Sequence, residues 1–201
     1  GRHWDGAGQN VDLYEAKADC LAALAAAGVD ASKAQVTRDA PVWFHPGRSA
    51  TLRLGPKVVL AHFGELHPAT LKLMGVSGSA VGFEVFLSDL PAEKRKASRA
   101  KPALDLNALQ PVSRDFAFIV GESVTAAEIV KAALGADKAL VRDVGVFDVY
   151  QGKGMAEGKK SIAIAVTIQP VGKTLTDAEI DAVGQKIVAD VKKATGAELR
   201  G

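Results

Sequence analysis

The chain has 201 residues and a formal net charge of +2 at pH 7, room for one large domain or two ordinary ones at roughly 100–200 residues per domain. Hydrophobic residues make up 48% of it, yet 35 residues are alanine and only 11 (7 Phe, 2 Trp, 2 Tyr) are aromatic, so the core is expected to be aliphatic and every ring outside a core strand needs a reason. Such a composition is too apolar for disorder, and so small a net charge exerts no strong pull toward nucleic acid or membrane.

The first expected helix covers residues 12–28. Asp12 and Glu15 have capping-box spacing, apolar residues recur at Ala16, Cys20, Leu24 and Ala27, and Gly28 supplies the stop. Within it the seven-residue run Leu21–Ala27 is too short to span a bilayer, and no basic leader precedes it as a secretory signal would require. The only cysteine, Cys20, excludes an internal disulfide and points to a reducing cytoplasm. The sequence opens Gly1-Arg2 with no methionine, which suggests a piece of something longer.

Strands are expected at Thr51–Leu54, Val58–Phe63 and Gly82–Leu87, with a short helix from Pro68 to Met74 that starts at a proline and stops at Gly75. Residues 1–90 thus read as an α+β module built on antiparallel sheet. From 91 to 110 the periodicity fails: Lys94, Arg95, Lys96, Arg99 and Lys101 crowd together between prolines at 91, 102 and 111. A basic arm for nucleic acid is one reading; a solvated linker is favoured, because no aromatic is interleaved.

Residues 111–201 are more regular. A strand at Asp115–Val120 is followed by the capping box Thr125–Glu128 and a helix ending at Gly135, then strands at Val141–Tyr150 and Ser161–Gln169 joined by the glycine-rich segment Gly152–Gly158. A second capping box, Thr176–Glu179, opens a helix to about Thr195 before Gly196, and Ala197–Arg200 forms a last strand. The order βαββαβ is the ferredoxin-like split βαβ arrangement.

Reactive chemistry is sparse. His3, His45, His62, His67 and Cys20 show neither the i,i+4 nor the C-x-x-C spacing of a zinc site, and His45-Pro46 and His67-Pro68 are expected to mark turns whose imidazoles bond nearby backbone. Cys20 lies on an apolar helix face and reads as a small buried hydrophobe. The glycine loop joins two strands instead of opening a helix, so it lacks the dipole of a phosphate loop; Lys153, Lys159 and Lys160 around it are candidate phosphate contacts. No catalytic triad or carboxylate pair stands out. An RNA-recognition-motif reading fails because that family stacks bases on rings of its third strand, and Lys160–Ile168 carries none. Tyr150, the last ring of the chain, is either a half-buried edge residue or a stacking platform; Asp148, two residues earlier, shares its strand face.

Several motifs, in order along the whole chain, resemble the C-terminal part of the bacterial phenylalanine–tRNA ligase beta-subunit family. Ser113-Arg114-Asp115-Phe116-Ala117, Phe147-Asp148-Val149-Tyr150-Gln151-Gly152, Glu157-Gly158-Lys159-Lys160-Ser161 and Thr174-Leu175-Thr176-Asp177 resemble its ferredoxin-fold anticodon-binding domain. His45-Pro46-Gly47-Arg48-Ser49-Ala50 and Gly64-Glu65-Leu66-His67-Pro68 resemble the degenerate class II catalytic-like module that precedes it. The segment Asp105–Pro111 departs from the family's connector, where an aromatic–Pro pair usually precedes the Arg-Asp motif.

The resemblance implies a non-catalytic fragment of an α2β2 enzyme that joins phenylalanine to tRNA(Phe) with ATP and magnesium, the alpha subunit holding that chemistry. Neither F-R-x-E nor G-x-G-x-G-x-x-R occurs here, and neither cofactor nor metal is expected on this chain. It further implies anticodon contacts at Ala117, Asp148, Tyr150, Ser161 and Arg200. Asp148 can accept from guanine N1 and N2, Tyr150 can stack, Ser161 can bond a base edge, and Arg200 can stack or meet a phosphate. A ferredoxin-like domain binding an amino acid, or a pure assembly module without RNA contact, stays open beside it: residues 108–201 hold 12 Lys+Arg against 12 Asp+Glu.

Overall fold

Asp12 opens the first helix as its spacing to Glu15 predicts, in a computed structural model that describes residues 10–31, 34–91, 103 and 107–200. Asp12 Oδ1 accepts the amides of Tyr14 at 2.7 Å and Glu15 at 3.1 Å, and Glu15 returns a carboxylate to the Asp12 amide at 3.2 Å. The chain divides into two compact units, Gly1–Ala100 and Lys101–Gly201. The basic stretch Lys94–Lys101 and His3 lie outside the described residues.

In the first unit α1 (Leu13–Ala26) buries Ala16, Cys20 and Leu24 and packs on an antiparallel sheet of sequential strands. These are β1 (Gln35–Thr37), β2 (Phe44–Leu54), β3 (Val58–Leu66) and β4 (Val81–Val85). Cys20 and Leu24 meet Leu52, Leu60, Ala61 and Phe63 in its core. Burial pushes the Cys20 thiol up to about 11, which keeps it protonated and unreactive at neutral pH. The short strand β1 is absent from the sequence-based expectation, because three residues are too few to show a period. β2 also starts seven residues earlier than expected. His45-Pro46 therefore lies within a strand, at a shift of register between Phe44 and Ser49 that tolerates a proline. The expected backbone bonding holds for both imidazoles: His45 Nδ1 accepts from the Gly47 amide and His67 Nδ1 from the Ala69 amide, each at 3.1 Å. His67 thereby caps α2 (Pro68–Leu73).

The second unit contains β5 (Val112–Gly121), α3 (Ala126–Ala136), β6 (Val141–Tyr150), β7 (Lys159–Ile168), α4 (Asp177–Thr195) and β8 (Glu198–Leu199). Its antiparallel sheet has the order β6-β7-β5-β8, the ferredoxin-like topology. Phe118, Ile162, Ile164, Val166 and Ile168 join Ile129 of α3 and Ile180, Val183, Ile187 and Val191 of α4 in one aliphatic core. The helices thus cover the sheet face that carries the even-numbered residues of β5 and β7. α3 runs past Gly135 and ends at Asp137, whose carboxylate accepts the Ala139 and Leu140 amides at 3.2 Å; the expected glycine stop gives way to an Asp turn. Residues 107–110, assigned by the sequence to the linker, are tied to this unit: Asn107 Nδ2 donates to Pro170 O at 2.9 Å and Gln169 Nε2 to Leu109 O at 2.8 Å.

Thr176 caps α4 through the Glu179 amide, Glu179 accepts from the Thr176 amide at 2.8 Å, and Gly196 closes the helix at φ +68, a left-handed conformation that costs glycine nothing. Thr176→Ala is expected to lower the stability of this unit by about 1 kcal/mol in urea denaturation. Glu179 is held down from 4.5 to about 2, first by Lys173 and then by the Thr176 amide. A depressed carboxylate stabilises the fold above its unfolded value. That contribution is expected to disappear as pH falls from about 4.5 to about 2, and Glu179→Gln to flatten the melting temperature across this window.

Candidate nucleic-acid interface

The sheet face opposite α3 and α4 is floored by small residues. Across it, Asp148 of β6 lies beside Ala163 of β7, which lies beside Ala117 of β5; the Arg200 amide donates to Ala117 O at 2.8 Å. One row over, Tyr150 pairs with Ser161, Ser161 with Ile119, and Ile119 with Glu198. A third row sets Gly145 beside Ala165 and Asp115. A floor of Gly, Ala and Ser lets a flat ligand approach the backbone closely.

A bulge puts Asp148 and Tyr150 on this face. Val144 and Val146 of β6 pair with Val166 and Ile164, whose side chains enter the helix-covered core. Strict alternation would send Asp148 and Tyr150 to that side too. Instead the register shifts between Val146 and Asp148, and Phe147 is the extra residue, left 59% exposed. One inserted residue inverts the alternation, so Asp148 and Tyr150 face the open side. β6 is an edge strand, where such a bulge disturbs one neighbour only.

Asp148, Tyr150 and Arg200 line one open concavity of about 250 Å³ together with Lys153, Gly154 and Met155. Tyr150 is 41% exposed, and its hydroxyl donates to Lys153 O at 2.8 Å. The ring also lies over Gly152, where an added Cβ would sit 3.7 Å from Cζ. The ring is thereby oriented without being buried, and it is more exposed than a half-buried edge residue would be. Asp148 and Arg200 present opposite charges to the concavity with no hydrogen bond or ion pair of their side chains to other described residues. An ionised carboxylate only accepts and a guanidinium only donates, so together they suit a ligand carrying both donors and acceptors.

The other expected residues separate. Ala117 is half-buried in the floor with its carbonyl engaged by Arg200. Ser161 is only 4% exposed and, although it pairs with Tyr150, does not line the concavity. Lys153 lines the concavity. Lys159 approaches Glu198 at 3.8 Å, in the row next to Tyr150 and Ser161. Lys160 is directed away: it pairs with the core residue Val120, and its amine donates to Glu122 O at 2.9 Å. Met155 was not singled out by the sequence, and only its place in the concavity reveals it.

A family model described as a ferredoxin-fold anticodon binding domain matches residues 108–200, and one described as the phenylalanyl tRNA synthetase beta chain CLM domain matches residues 1–87. A phenylalanine–tRNA ligase beta subunit of Paramagnetospirillum magneticum is 57% identical over 201 residues, covering all of this chain and 25% of the relative. The chain belongs to the phenylalanine–tRNA ligase beta-subunit family. Beta subunits of Bradyrhizobium diazoefficiens and Rhodospirillum rubrum are 56% and 53% identical over 200 and 199 residues, covering 100% and 99% of this chain and again 25% of each relative. The chain thus spans about a quarter of the length of the curated relatives it matches. In beta-subunit terms, the concavity lies in the anticodon-binding-domain match, and the His45–Ala50 and Gly64–Pro68 motifs lie in the CLM-domain match.

Proposed function

We propose that the second unit binds the anticodon of tRNA(Phe) at the concavity formed by Asp148, Tyr150, Lys153 and Arg200. The observation that carries this reading is their convergence on the uncovered sheet face of a domain matched by the anticodon-binding family. Tyr150 stacks on a base, Asp148 accepts from the N1 and N2 donors of guanine, and Arg200 meets a phosphate or a base face. Ala117 permits close approach, Ser161 touches a base edge, and Lys153 and Lys159 meet phosphates as point charges.

Residues 1–90 form a structural module that packs on the alpha subunit of an α2β2 enzyme or on other domains of the beta subunit, and residues 111–201 form the RNA-binding domain. The assembled cytoplasmic enzyme forms phenylalanyl-tRNA. Among the described residues no group of three or more His, Cys, Asp or Glu side chains is placed to hold a metal ion, and no described helix is long and apolar enough to cross a membrane. The ATP and magnesium of the assembled enzyme act at its alpha subunit, as in the family this chain resembles.

Fluorescence anisotropy of the complete subunit with the anticodon stem-loop tests the reading. Replacing the anticodon guanine by inosine, which lacks the N2 donor, is expected to weaken binding to the wild-type subunit and to leave Asp148→Ala unaffected. Equal loss in both proteins would remove Asp148 from the site.

A further inference from the structure

We infer that Met155 is a further base-contacting residue, its thioether side chain packing against the nucleobase that Tyr150 and Asp148 hold. This rests on the anticodon reading and extends it to a residue outside that set. Met155 lies in the glycine-rich turn between β6 and β7, where Gly152, Lys153, Gly154 and Ala156 are all exposed and Met155 alone is half-buried. It joins neither hydrophobic core cluster of the described residues. It lines the concavity instead, where it is the one long apolar side chain among Asp148, Tyr150, Lys153 and Arg200.

The turn holds it there. The Met155 amide donates to Gly152 O at 3.0 Å, folding the chain back, and the Tyr150 hydroxyl fastens the same turn through Lys153 O at 2.8 Å. Ring and thioether are thus carried by one hydrogen-bonded unit and line one cavity. Charged groups there recognise a base edge, but they leave its apolar π-face without a partner apart from Tyr150. A polarizable, unbranched thioether adapts to such a surface and makes favourable sulfur–aromatic contacts.

The test uses the complete subunit and the anticodon stem-loop in fluorescence anisotropy. Met155→Ala is expected to weaken binding about two- to tenfold, Met155→Leu to restore most of it, and Met155→Gln, of similar length but polar, to resemble the alanine variant. With stem-loops made abasic at each anticodon position in turn, the Met155→Ala deficit is expected to vanish at the position where the Tyr150→Ala deficit also vanishes. Unchanged affinity in both Met155→Ala and Met155→Gln would overturn the inference. So would a deficit that persists with every abasic RNA, which would mark a general collapse of the turn. The failure of the anticodon reading has a different signature: Tyr150→Ala and Asp148→Ala would then also bind normally.

Discussion

Gly64→Ala is expected to lower the stability of the first unit by at least about 3 kcal/mol, a fall of more than about 10 °C in its melting temperature. Gly64 has φ +140, a conformation open to glycine and strained for alanine. It also pairs with Ser49 at the irregular start of the β2–β3 ladder. A Cβ there would lie 2.4 Å from Arg48 O, 2.5 Å from Ser49 Cα and 2.6 Å from Ser49 Cβ. These neighbours are backbone or rigidly attached to it, so relief requires moving β2 itself, and with it the core residues Ala50 and Leu52. Both tryptophans, Trp4 and Trp43, belong to the first unit. Trp43, immediately before β2, therefore reports on the first unit in tryptophan fluorescence during denaturation, and an unchanged midpoint would refute the prediction. Gly82, beside Gly64 in the β3–β4 ladder, has open space at its Cβ position; Gly82→Ala serves as the control with little expected loss.

Tyr150→Ala is expected to weaken anticodon stem-loop binding by about 1–3 kcal/mol, the range for losing one stacked base. Tyr150→Phe is expected to retain most of the affinity. The ring is 41% exposed, so alanine removes little core packing, and the melting temperature of the second unit should move far less than the affinity. The hydroxyl of Tyr150 serves the turn through its bond to Lys153 O. Its loss in phenylalanine loosens the orientation of the ring while leaving the π-face available. Titration of both variants with one RNA separates these effects: equal losses in alanine and phenylalanine would assign the contribution to the hydroxyl and not to stacking. Residues 108–201 carry equal numbers of acidic and basic groups, so long-range attraction is expected to add little, and the salt dependence of binding is expected to reflect only the local phosphate contacts.

Much of the second unit was legible because its signals are local. Thr125 with Glu128 and Thr176 with Glu179 each satisfy orphan amides within one turn of helix, and spacing alone encodes that. The alternating Ile, Ala and Val of Ser161–Ile168 likewise announce a strand with one buried face. β1 stayed hidden because its three residues are held by β2, not by a pattern of their own. The end of α3 was misplaced at Gly135, because a glycine is a stop only when the chain leaves the helix there, and the Asp137 carboxylate offered the amides of residues 139 and 140 a partner two residues later.

The length, near-neutral charge and scarcity of rings, with the capping boxes and strand periods, determined that this chain holds two α+β units and that Tyr150 and Asp148 share a strand face. Which face that is, only the tertiary structure decided. Alternation propagates side-chain direction only while the ladder is unbroken, and the extra residue Phe147 inverts it through pairing with β7, a strand that lies beyond the turn. The same non-local pairing buried Ser161 beside Tyr150 and sent Lys160 to the helix-covered side. Arg200 joins Asp148 in lining the concavity because β8 closes on β5, across more than fifty residues of sequence that no local spacing could bridge.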